Sequence, residues 1–72
     1  MKTTEIKQKL TSSLNTTCGL DYYEILSINS KKNEAIVKMK YSWTPFTNDY
    51  LLKLRPEQPY IIHESTNLTL HI

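Results

Sequence analysis

A chain of 72 residues is a single domain near the lower size limit for folding without disulfides or metals, and it buries only about 60% of the surface it exposes when unfolded. Its hydrophobic share of 39% is more than a disordered chain carries. A net charge of +2 excludes an acidic mimic of nucleic acid and falls short of the basic excess expected of a strong phosphate binder.

In chain order, Thr3 or Thr4 predicts a helix N-cap, with Glu5 in the first turn where negative charge suits the dipole. Ile6, Leu10 and Leu14 recur at i, i+4, i+8 and give a narrow apolar stripe on an otherwise polar helix. Gly19, the only glycine, is placed to end that helix in left-handed conformation, so the helix is predicted from about Thr4 to about Cys18. Three apolar residues cannot stabilise it alone, so it must dock on something.

The rest of the chain reads as strands. In "DYYEILSI", Tyr22, Leu26 and Ile28 share one parity and Tyr23, Ile25 and Ser27 the other. After the polar turn "NSKKNE", the stretch "EAIVKMKYSW" alternates Ala35, Val37, Met39, Tyr41 and Trp43 against Ile36, Lys38, Lys40 and Ser42. The two strands form a hairpin. Pro45 ends the second strand, and "TPFTND" is a loop. "YLLKLR" is a third strand with Tyr50, Leu52 and Leu54 inward, and "PEQP" breaks it. "YIIHE" predicts a fourth strand, "STN" a turn, and "LTLHI" a fifth strand alternating Leu68, Leu70 and Ile72 against Thr69 and His71. The expected fold is α+β: one N-terminal helix packed on an antiparallel meander of four or five strands, all within residues 1–72.

No arrangement of reactive side chains points to an enzyme. Cys18 with His63 or His71 lacks any local signature of a nucleophile and base, and a lone Cys before a helix-ending glycine is ordinarily a small packing residue. His63, His71 and Asp49 lack metal-ligand spacing, and one glycine cannot build a phosphate-cradling loop. The acids are scattered, which argues against paired-carboxylate catalysis. No cofactor and no metal is expected. One cysteine cannot form an internal disulfide framework, and no run is long and apolar enough for a signal peptide or a membrane span. A cytoplasmic protein is expected, and the wealth of Lys, Asn, Ile and Thr suits an AT-rich bacterial or phage genome.

Trp43 and Phe46, flanking Pro45, are either a docking anchor or the closure of one end of the core; the parity of Trp43 favours the core. Beyond them, a helix covering Val37, Met39, Tyr41, Leu52 and Leu54 leaves the opposite sheet face open. That face is expected to show Lys38, Lys40, Lys53 and Arg55 among Tyr23, Ile25, Ile36, Leu51 and Ile61. So many apolar residues among the cations suggest a surface made to be covered. The leading reading is a non-enzymatic protein-binding module, an adaptor or inhibitor carried by a phage or mobile element, which covers this face with a host or cognate protein. The alternative is a nucleic-acid binder that stacks a base on Tyr23 and meets phosphates with the cations, which the small net charge disfavours. The segment holding Leu68, Leu70 and Ile72 reads as an unguarded edge and predicts a homodimer.

Overall fold

Helix α1, Thr3–Asn15, forms where the stripe places it, and Ile6, Leu10 and Leu14 are its buried residues. The computed structural model that shows this describes residues 2–54 and 62–68. Lys2 is the N-cap, in extended conformation and without a side-chain cap, while Glu5 occupies the first turn as expected. The helix ends three residues earlier than the glycine signal suggests, because threonines take over its last carbonyls. The Thr16 hydroxyl donates to the Ser12 and Ser13 carbonyls at 3.1 and 3.0 Å, and the Thr17 hydroxyl donates to Ser13 O at 2.7 Å. Carbonyls left over at a helix C-terminus need such partners. Gly19 does adopt the left-handed region, at φ +81°, but it serves the turn into the sheet and not the helix cap.

Four strands follow: β1, Leu20–Asn29; β2, Glu34–Tyr41; β3, Asn48–Leu54; and β4, Ile62–Asn67. They form one open antiparallel sheet in the order β1-β2-β3-β4. The β1–β2 turn is fixed by Asn29, whose Oδ1 accepts from the backbone N–H groups of Lys31 and Lys32 at 3.1 and 3.3 Å. Asn33 closes it at φ 52°, a region asparagine tolerates. The fold is therefore the expected α+β architecture, with one helix on a four-stranded meander.

The core lies between α1 and one sheet face. Ile6, Leu10 and Leu14 meet Ala35, Val37, Met39, Leu52 and Leu54 in one buried cluster, with Leu20, Tyr23, Ile25, Ile28 and Tyr50 packed at its margin. The alternation of β2 is observed as read, with Ala35, Val37 and Met39 buried.

Three expectations are corrected. The "STN" stretch is no turn: Ser65, Thr66 and Asn67 pair with Leu52, Leu51 and Tyr50, so β4 runs straight through it. Since β3 begins at Asn48, its early residues offer ladder partners, and cross-strand pairing overrides weak local turn preference. Leu68 follows the end of β4; Leu70 and Ile72, and with them the expected fifth strand, lie outside the described residues, as do Arg55 and Ile61. The second correction is Trp43 and Phe46, which do not close the core. They are 72% and 69% exposed.

The third concerns Tyr23 and Ile25, which do not belong to the open face. They pair with Met39 and Val37 and so share the helix-covered face. The Tyr23 hydroxyl donates to Oδ1 of Asn15, at the end of α1, at 2.9 Å. Ile28, of opposite parity, reaches the same face because the register shifts between Ile25 and Ser27. That bulge at Leu26 resets the alternation, as an extra residue in one strand must.

Candidate functional site

The open face can be built row by row from the ladder. Ser27, Ile36, Leu51 and Thr66 form one row across the four strands. Glu24, Lys38 and Asp49 form another, and Glu34 stands opposite Lys53. Tyr22 stands opposite Lys40. Of the residues expected to form a basic binding surface, Ile36, Lys38, Lys40, Leu51 and Lys53 are brought together here. Its acids were missed from the sequence.

Those acids change the electrostatics. Lys38 sits between two carboxylates in its row, Lys53 faces Glu34, and Lys40 Nζ lies 3.3 Å from Asp21 Oδ2 in an exposed ion pair. Such a pair is worth no more than about 1 kcal/mol, but together the acids cancel the field that a polyanion would follow. Ile36 and Leu51 are only partly exposed and floor a shallow hollow of about 140 Å³ with Ser27, Asn29, Glu34 and Ala35. The face is a compensated, mostly polar surface with a small apolar middle, which is how the solvated side of an antiparallel sheet is normally dressed.

Four large apolar groups are exposed among the described residues: Tyr22 opposite Lys40, Leu26 in the β1 bulge, and Trp43 and Phe46. The two most exposed, Trp43 and Phe46, lie in the loop where β2 passes into β3. The Trp43 ring stacks on Tyr41 with centroids 4.6 Å apart and planes 15° from parallel, and Tyr41 meets Tyr50 edge-on at 6.4 Å. Phe46 follows in the same loop, where the Thr44 hydroxyl oxygen accepts its N–H at 3.1 Å. The loop is tied back to the start of β1 by the Ser42 N–H, which donates to the Gly19 carbonyl at 2.7 Å. The exposed Trp43 and Phe46 at this end of the sheet are not accounted for by the buried core. The signal for their exposure was the Pro45 break after Tyr41, which takes Trp43 off the strand and out of the alternation.

Burial raises the Tyr41 phenol above its usual 10.0, with neighbouring Tyr50 adding to the effect. A hydrogen bond to Glu24, at 2.9 Å, and that carboxylate's charge raise Tyr22 as well. For groups raised in the folded state, the linked stability is fully present below the unfolded value and is lost as pH rises through the folded one. Thermal melts should therefore hold level from pH 8 to near pH 10 and fall above it. Tyr41→Phe should flatten part of that fall; an unchanged slope would show that Tyr41 ionises as freely folded as unfolded.

Among the described residues no group of three or more His, Cys, Asp or Glu is placed to hold a metal ion, and no helix is long and apolar enough to cross a membrane. Cys18 is a free, exposed thiol. Compared with known proteins, the chain matches no family model, no curated protein and no solved structure.

Proposed function

We propose that this is a non-enzymatic protein-binding module, of the adaptor or inhibitor kind, that engages its partner through the aromatic end of the sheet. The carrying observation is the exposure of Trp43 and Phe46, three residues apart in one loop, at 72% and 69%, in a domain that has few large apolar groups to spare. Tryptophan anchors dominate interfaces because they bury much area for few rotatable bonds. The Lys40–Asp21 pair beside Tyr41 suits a polar rim, where charges steer encounter and select partners.

The charge pattern of the open face favours protein over nucleic acid as the ligand. Phosphate contact requires cations left without acidic neighbours, and Lys38, Lys40 and Lys53 all have them. The test is capture by the immobilised wild type, by Trp43→Ala/Phe46→Ala, and by a variant reversed at Lys38, Lys40 and Lys53. A single-stranded oligonucleotide titrated across salt concentrations is the parallel arm. A protein retained by the wild type and the charge variant but not by the aromatic variant supports the reading; salt-steep oligonucleotide binding overturns it.

A second copy of the chain is the other protein partner this fold admits. Among the described strands β4 is one edge of the sheet, and the opposite edge, β1, is interrupted by register shifts near Asp21 and Leu26 that hinder pairing. Self-association through β4 gives twice the monomer mass in light scattering at micromolar concentration; a monomer mass there removes the dimer.

A further inference from the structure

The only glycine in the chain lies against its only tryptophan. A Cβ built on Gly19 would stand 2.5 Å from Cζ3 of Trp43, closer than carbon atoms approach, and a tight 3.3 Å from Cε3 and Cη2, so the ring would have to move from its present place. The indole therefore occupies the space that any L side chain at this position would claim. Its benzo edge rests on Gly19, its face lies on Tyr41 at 4.6 Å, and the Ser42 N–H bonded to the Gly19 carbonyl holds the two segments at this spacing. Gly19 thus answers two needs at once: a backbone at φ +81°, and a bare Cα against the benzo edge of a ring.

We infer that Gly19 is a positioning residue whose missing side chain forms a seat for Trp43, fixing the indole in one orientation before a partner arrives. An anchor held this way loses little rotamer entropy on binding, which is how preorganisation raises affinity. The benefit to binding rests on the aromatic-end reading above, whereas the seat itself is a property of the free protein and can be tested without a partner.

Two versions of the whole chain separate the seat from the backbone requirement. Gly19→Ala places a methyl where the ring lies. A D-alanine at position 19, introduced by chemical synthesis of the chain, accepts the positive φ and projects its methyl from the other side of the Cα. Trp43 is the only tryptophan, so its emission anisotropy and the near-ultraviolet dichroism of the Tyr41–Trp43 stack report the ring directly. The L-alanine variant should lose the dichroic band and much of the anisotropy, while the D-alanine variant keeps both. Retention of both signals by the L-alanine variant, or equal loss in the two variants, overturns the proposal. In the wild type the Gly19 α-protons should be displaced from their usual shifts by the indole ring current and show nuclear Overhauser contacts to its benzo protons. Their absence overturns the proposal even if the L-alanine variant does not fold. Failure of the seat with Trp43 still essential to partner capture would leave the binding surface standing and remove only its preorganisation.

Discussion

Leu10→Ala should leave a protein that is substantially unfolded or on the edge of unfolding at room temperature. Leu10 is fully buried at the centre of the α1 stripe, between Ile6 and Leu14, within the cluster that holds Val37, Met39 and Leu52. Removing a buried leucine to alanine costs about 2–5 kcal/mol, the transfer of the lost carbons plus the cavity they leave. A 72-residue domain has roughly 4–11 kcal/mol in total, at about 0.05–0.15 kcal/mol per residue. The loss is amplified because α1 has little of its own to fall back on. Its N-terminus lacks a side-chain cap, its 13 residues are marginal in isolation, and its docking depends on three side chains. Urea unfolding followed by far-ultraviolet dichroism reads the effect as a midpoint lowered by a large part of its wild-type value. Leu26→Ala is the control: Leu26 sits exposed in the β1 bulge, and its truncation should cost under about 1 kcal/mol. If Leu10→Ala unfolds at the wild-type midpoint, α1 is not what covers this sheet.

The difference between those two leucines shows where sequence reading succeeds. Ile6, Leu10 and Leu14 could be assigned to the core because helical spacing is unbroken from one to the next. Ala35, Val37 and Met39 could be assigned because β2 alternates without interruption. β1 could not be read the same way. Its two register shifts leave residues 21 and 26 out of the pairing, so parity counted along the chain puts Ile25 and Ile28 on opposite faces when both belong to the core. No residue in "DYYEILSI" advertises a bulge; its position follows from which pairing with β2 buries most apolar surface, and that is a tertiary quantity. The acids opposite the lysines were hidden for the same reason. Glu24 and Asp49 come beside Lys38 only through register, and a face read from one strand at a time looks more basic than the sheet it belongs to. Trp43 was misread by extending the alternation of β2 past Tyr41, where the strand ends and the chain turns toward Gly19.

That misreading carries the second large expected effect. Had Trp43 and Phe46 been core, truncating either to alanine would cost about 3–5 kcal/mol of stability. Exposed as they are, the loss should be small: for Trp43 about 0.5–1.5 kcal/mol from the stack on Tyr41, and less for Phe46. Binding should respond in the opposite proportion. An interface anchor typically contributes 2 kcal/mol or more, so each truncation should weaken a purified partner by about 30-fold or more, chiefly through faster dissociation. Charge reversal at Lys40, the residue before Tyr41 on β2, should instead slow association and alter its salt dependence, because rim charges steer approach more than they hold the complex. Surface plasmon resonance on the retained protein separates these cases, with urea midpoints measured alongside. A Trp43→Ala variant that keeps wild-type dissociation kinetics excludes the aromatic end as the contact. One that loses several kcal/mol of stability shows that Trp43 belongs to the fold after all. The combination expected here, intact folding with fast release, arises only if the ring is built to be covered by something other than its own chain.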